Sequence, residues 1–499
     1  MKINELILIF PIIPIIFVFL SILVKYTIKK DISPYTVFIS GIAQIISGGY
    51  IIAHFFNASG VTKIPVSEFN YSILFSMDRF KVYFVGCYLV TLCFVVISDK
   101  IRESFDSYYL RNLFLFFLAG CSGLLVTGDM FNFYVFYELM IICAYSIIAA
   151  NEKFYASLKY MLFGTLSSLF FLGGVIFFYT SHGTFDFNCQ FNSNIVQILM
   201  LFNMAFIIKS GFFPTSFWVP TCHGVAKSLF SVCLSAFPIT TGIYGLFYFV
   251  VLPAMANEIT IVITFMKILA IISIITSAVF IFFEPHLKKA VAWSSVTAMG
   301  IIGLAVASGE FEIGFIYMVM HAFYKGVFFL ILDDVEYDKK GVSSIIRSGK
   351  TTRIFYVISV LFAAGIFPAF THFIKSNFST YFPGDKIMWL SVMFLISAGY
   401  FKFTYKYYKT GNRKRFYIKS SILGVAIIYI LLKKVPRIRF DAIMTFEFIL
   451  FFFAYRFSKY FYHSMIILRD LGNRYFYRNL NNEFLYVVFL FLAGMLTIR

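Results

Sequence analysis

A single carboxylate lies near the middle of a long apolar run. Residues 127–148 read TGDMFNFYVFYELMIICAYSII, with Glu138 roughly nine residues into the helix they predict. A charge at the centre of a bilayer-spanning helix costs at least a few kcal/mol, so it is expected to face a polar interior and to have a partner. Partners of the right sign stand elsewhere in the chain. Lys209 (MAFIIKSGFFP), Lys325 (MVMHAFYKGVFFLIL) and Lys375 each sit inside another long apolar segment. Desolvation disfavours the charged form of a lysine, so a buried one gives up its proton readily. One buried carboxylate and several separated buried lysines suggest a route for protons or cations. His321 precedes Lys325 by four residues, which puts both on one helical face, where a proton can pass along that face.

Other titratable groups are secondary candidates. His372 lies one turn before Lys375. His223 and Lys227 share TCHGVAKSLF, where Lys227 reads best as an interfacial lysine at a helix start. Asp78 and Arg79, in SMDRF, are expected to form a local or interfacial pair ahead of the third helix.

The elements that must position these groups are apolar helices. The chain has 499 residues, 60% hydrophobic and only 13% charged, against about 25% charged in soluble domains. It reads as an all-α polytopic membrane protein. With about 20 apolar residues per span, helices fall near 4–25, 34–56, 80–98, 110–127, 129–150, 157–180, 195–217, 227–251, 259–283, 287–308, 311–332, 353–381, 386–405 and 417–433. Segments 440–462 and 484–498 are further candidates, which makes about 14 spans, or 15 to 16 with the C-terminal end. The first run contains Pro11 and Pro14 and no small-residue cleavage site, so it reads as a retained helix rather than a signal peptide.

The formal charge of +18 does not indicate nucleic acid. Lysines and arginines cluster in alternate short connections, such as Lys25, Lys29 and Lys30, then Lys100, Arg102 and Arg111, then Lys288 and Lys289. The connection 181–194 has none. The positive-inside rule then puts the N-terminus outside; only 433–439 (KKVPRIR) departs from the alternation. Seven scattered cysteines without a C-x-x-C pair argue against disulfide, iron–sulfur and zinc sites. No phosphate-binding glycine motif is present.

Two helices look interrupted. IIKSGFFPTSFWVP places Lys209 just before Gly211 and Pro214, and AAGIFPAFTHFIKS places Gly365 and Pro368 ahead of Lys375. Two such breaks in corresponding halves point to an inverted-repeat transporter with midplane sites.

With these segments in order, the chain resembles the antiporter-like subunits of Mrp cation/proton antiporters and respiratory complex I; membrane-bound hydrogenases contain the same type of subunit. The resemblance rests on SMDRF, TGDMFNFYVFYE, KYMLFGTLSSLFFLGG, IIKSGFFPTSFWVP, LKKAVAWSSVTAMG, HAFYKGVFFL and AGIFPAFTHFIKS. GDMFN, and lysine rather than glutamate at 375, look closest to the D-type antiporter subunits of Mrp. The resemblance implies 14 core helices, two inverted five-helix repeats with helices 7 and 12 broken, a central axis of Glu and Lys, no cofactor and no metal in this subunit. Partners would be other membrane subunits of an Mrp-type or complex I-like assembly, and the cargo protons with Na+ or K+. On this pattern 1–109 holds the N-terminal helices, 110–251 the first repeat, 252–410 the second, and 411–499 the C-terminal helices. Glu138 and Lys209 would form an entry pair, His321 and Lys325 a middle relay, and Lys375 an exit. The family usually has a lysine in the helix matching AFPITTGIYG; counted from Pro220, Thr240 stands there. A hydroxyl holds water but takes no proton at neutral pH, so the step from Lys209 to Lys325 needs another carrier. A redox-coupled proton pump, a stand-alone solute carrier and a structural subunit without transport are the competing readings.

Overall fold

The computed structural model describes residues 3–332 apart from 59, 66–72, 99–104, 187–194 and 285, together with 336–337 and 343–344. Lys375, His372 and the expected helices beyond 353 lie outside the described residues. Within them the chain is a helical bundle: α1 (Ile3–Thr27), α2 (Ser33–Phe55), a short hairpin of β1 (Thr62–Pro65) and β2 (Leu74–Met77), α3 (Lys81–Ile97), α4 (Tyr108–Val126), α5 (Met130–Ala149), α6 (Phe154–His182), α7 (Ile195–Ser210), α8 (Trp218–Val225), α9 (Ser228–Ala236), α10 (Thr240–Gly245), α11 (Leu252–Ala256), α12 (Thr260–Phe283), α13 (Leu287–Ala307) and α14 (Phe311–Ile331). Ten helices, counting α7–α8 and α9–α11 as one each, are long and apolar enough to cross a membrane, and α3 is a shorter apolar helix. They follow the segments expected from hydropathy.

Local sequence explains where helices begin and end. Ser107 caps α4 by accepting from the Leu110 amide, and Asp129 caps α5 by accepting from Asn132. Gly183 closes α6 at φ +67. The span from Ile195 breaks at Gly211, whose φ of +66 suits glycine. The freed backbone groups there are met by protein: the Phe213 amide donates to Ser273 Oγ at 2.8 Å, and Trp218 Nε1 donates to the Ile208 carbonyl at 3.1 Å. The next span, expected as one helix over 227–251, is interrupted too. Pro238 lacks an amide, a turn separates α9 from α10, and a π-helical segment follows over Leu246–Val251.

Two ends of the bundle are distinguished by their contacts. At one, β2 meets the α4–α5 turn through Phe75 and Thr127, and Asp129 meets Asp186 beyond α6. At the other, Arg111 pairs with Asp31 at 2.8 Å, Lys25 lies 3.6 Å over the Tyr108 ring, and Lys227 pairs with Asp106 at 3.1 Å. Alternate connections therefore share an end, as the alternation of basic loops requires.

The core is apolar and aromatic. Phe133, Phe171, Phe206, Tyr244 and Phe249 form a continuous ring cluster between α5, α6, α7, α10 and the π segment. The six described cysteines are buried and free.

Candidate functional site

Lys209 is the next-to-last residue of α7, just before the break, and is 2% exposed. Its ammonium donates to Tyr160 Oη at 3.2 Å and stands 5.0 Å from that ring and 5.2 Å from the ring of Tyr137. Tyr137 Oη bonds Ser167 Oγ at 2.6 Å, and Ser167 donates to the Ala205 carbonyl at 2.7 Å, which ties α5, α6 and α7 together around the lysine. The ammonium is thus held by a phenol and two π faces, and no ion pair to a carboxylate is seen at it among the described residues.

Glu138 sits at the middle of α5, as expected, but not on the face that meets Lys209. It is half-buried, one residue beyond Tyr137, and its charge reaches Lys209 only through space. The reason is the helical period. Glu138 shares a stripe of α5 with Phe131, Val135 and Ile142, which are 51%, 47% and 45% exposed. Tyr137, Met140 and Ala144 take the buried face. The direct entry pair with Lys209 is absent among the described residues.

The second group lies between α8, α13 and α14. Lys325 is fully buried and donates to the Val291 carbonyl and to Ser294 Oγ. His321, one turn earlier, is also fully buried, and neither of its ring nitrogens has a hydrogen-bond partner among the described residues. His223 has the same character: fully buried, both nitrogens unpartnered there, its ring stacked on Phe329 at 5.2 Å. Lys325 lies within electrostatic reach of both histidines, and His223 within reach of His321. The fold therefore adds His223, 98 residues away in sequence, to the pair that helical spacing had already grouped.

Buried hydroxyls stand on the elements that carry and flank the two lysines. Thr240 is buried, and its Oγ1 donates back to Ala236 at 2.8 Å and Phe237 at 3.0 Å. Ser235 and Ser295 are 3.2 Å apart, and Ser295 adjoins Ser294, which accepts from Lys325. On the Lys209 side, Ser210 Oγ is buried without a hydrogen-bond partner among the described residues. Gly242 permits the approach of α10 to this point, because a Cβ there would collide with Ser210 Oγ.

The remaining candidates sit at the ends of the bundle. Lys227 is a half-buried surface lysine, and its hydrogen bond holds the exposed Asp106 carboxyl below the usual carboxylate range. Asp78 and Arg79 do not pair with each other. The Asp78 carboxylate accepts from the Phe80 and Lys81 amides and from Tyr248 Oη at 2.8 and 2.9 Å, while the Arg79 guanidinium lies 4.5 Å over the Phe80 ring. Sequence reasoning missed Lys81 altogether. It opens the apolar run of α3 and is nonetheless 1% exposed.

The family model described as "NADH:quinone oxidoreductase/Mrp antiporter, TM" matches residues 127–401. The chain belongs to this family. The D subunit of the Na(+)/H(+) antiporter of Bacillus subtilis is 28% identical over 350 residues, covering 64% of this chain and 69% of the relative. The M subunit of the NADH-quinone oxidoreductase of Rickettsia bellii is 25% identical over 384 residues, covering 71% and 77%. In fold the chain is similar to a chain of respiratory complex I from Thermus thermophilus, with a TM-score of 0.70 at 18% identity, covering 91% of this chain and 99% of that one. It is also similar to a chain of the Mrp complex from Dietzia sp., with a TM-score of 0.63 at 17% identity, covering 88% and 82%. The protein is thus an integral membrane, antiporter-like member of the Mrp and complex I family, whose structural neighbours belong to multi-subunit assemblies.

Proposed function

We propose that this chain is the ion-translocating subunit of a multi-subunit Na+(K+)/H+ antiporter of the Mrp type, similar to its D subunit, set in a bacterial plasma membrane with its N-terminus outside. Protons move along Glu138, Lys209, the His223–His321–Lys325 group and Lys375. The observation that carries the reading is the pair of deeply buried lysines, each held by neutral oxygens or π faces: a phenol at Lys209, a carbonyl and a serine hydroxyl at Lys325. An ammonium so held can lose its proton and regain it without breaking an ion pair, and protonation at one station changes the next through a poorly screened interior.

The family's lysine is absent at Thr240, and the buried hydroxyls of Ser210, Ser235, Ser294 and Ser295 support a passage through hydrogen-bonded oxygens in its place. Glu138, on the outer stripe of α5, would meet a neighbouring membrane subunit. Replacing Glu138 by Gln in the assembled complex, reconstituted into vesicles with a pH-sensitive dye, should abolish cation-driven proton exchange with assembly retained. Undiminished exchange would remove Glu138 from the path.

A second reading has its own support. The match to the M subunit of NADH-quinone oxidoreductase covers more of both chains than the antiporter match does. On that reading the same groups pump protons for a redox partner. Purification from native membranes separates the two: small antiporter subunits co-purify in the first case, quinone-reducing and iron–sulfur subunits in the second.

A further inference from the structure

Outside the axis, the largest concentration of buried charge among the described residues surrounds Lys81, where the β hairpin, the start of α3 and the α4–α5 turn converge. Its ammonium donates to the Ser76 carbonyl at 3.0 Å, to Ser76 Oγ at 2.8 Å and to the Thr127 carbonyl at 2.6 Å. The carboxylates whose charge it feels are Asp78, Asp129 and Asp186. This arrangement has the chemistry of a site for a compact monovalent cation: main-chain carbonyls and a hydroxyl in direct contact, the buried Asp78 and Asp129 carboxylates nearby, and Lys81 itself 1% exposed, while Asp186 is partly exposed and paired with Lys63. Carbonyl oxygens in this role replace the hydration shell of potassium, and a primary ammonium offers a similar small charge with three donors.

We propose that the oxygens of Ser76 and Thr127 form a monovalent-cation site whose occupant is the chain's own Lys81 ammonium. The tethered cation fixes the turn that begins α5. Thr127 receives it, Gly128 donates to the Leu74 carbonyl at 2.6 Å, and Asp129 accepts from Leu74 at 3.0 Å and caps the helix at Asn132. The register and tilt of the Glu138-bearing helix are set at this turn. The Ser76 hydroxyl also reaches the Thr127 carbonyl itself, at 3.4 Å, so the serine and the ammonium converge on one oxygen. Removing the ammonium leaves carbonyls and nearby carboxylates facing one another, and a free ion of the same class relieves that repulsion.

The test does not depend on transport. Lys81→Ala is made in the full chain within its complex, and thermal unfolding is followed in potassium, ammonium or choline chloride at equal ionic strength. The wild type should unfold at the same temperature in all three. The variant should unfold at a lower temperature in choline and recover at least half of the loss in potassium or ammonium. Amide exchange at 127–133 should quicken in choline and slow again with the small cation. Lys81→Met, whose stem fills the space without a charge, should be destabilised and show no recovery. Should Lys81→Ala fail to accumulate, Lys81→Gln carries the amide-exchange measurement. Equal behaviour of the alanine variant in potassium, ammonium and choline would overturn the proposal, as would recovery of the methionine variant.

Discussion

At the scale of single residues, the decisive property is how each buried cation is held. Lys209 and Lys325 keep neutral neighbours, whereas Arg111 is fixed by Asp31 and by the oxygens of Ser33 and Phe105 at 2.7–2.8 Å. These are opposite solutions to the cost of burying a charge. Arg111 is structural on this geometry. Its three charged hydrogen bonds predict that Arg111→Met lowers stability by about 2–3 kcal/mol, which thermal unfolding of the assembled complex would register. The hydroxyl passage makes a prediction at the same scale. Ser295→Ala should slow exchange several-fold, because it removes one oxygen of the Ser235–Ser295 contact. Ser40→Ala, a buried serine on α2, should leave the rate alone, and equal rates in both variants would refute the passage.

At the scale of elements, breaks do the positioning. The interruption after Ser210 presents Lys209 at a helix end, and the turn at Pro238 with the π segment beyond it brings Gly242 against Ser210 of α7 and Tyr248 onto Asp78. Gly242 is a point of close approach, where any added Cβ would strike the Ser210 amide nitrogen. Backbone cannot yield as a side chain tip can, so Gly242→Ala should push α10 from α7. Impaired assembly, or exchange lost well beyond the effect of Gly173→Ala on the open surface of α6, is the expected result. The Lys227–Asp106 bridge between connections is weaker. Asp106 titrates below its ordinary value, so the bridge stabilises above that value, and its contribution disappears as pH falls through the depressed one. Asp106 is well exposed and Lys227 about a third exposed, so Asp106→Asn should cost less than about 1 kcal/mol and flatten a small acid-side slope in stability.

At the scale of the whole molecule, the outer stripe of α5 carries a carboxylate among large apolar groups, which neither lipid nor water suits. A neighbouring subunit resolves this if it covers the stripe. Cysteine placed at Val135 or Ile142 should react with a membrane-soluble maleimide in the isolated chain and be protected in the complex. Equal labelling in both would put the stripe in lipid. Such a partner would also supply the polar contact that Glu138 lacks among the described residues.

Within the described residues, hydropathy and charge placement by themselves determined the spans, their alternation and the presence of charges inside them, because the bilayer enforces length and composition span by span. The i,i+4 pairing of His321 with Lys325 and the break after Lys209 were legible for the same local reason. What only the tertiary structure decided depends on which helices touch. Nothing in FYVFYELM says that Tyr137 rather than Glu138 faces Lys209, since either side of a helix apolar all round can turn inward. His223 joins His321 only because α8 packs across α13 and beside α14, and Lys81 passes for a boundary charge until Ser76 and Thr127 close over it. Local pattern sets where a chain crosses hydrocarbon; the meeting of side chains distant in sequence is fixed by packing, which no single span encodes.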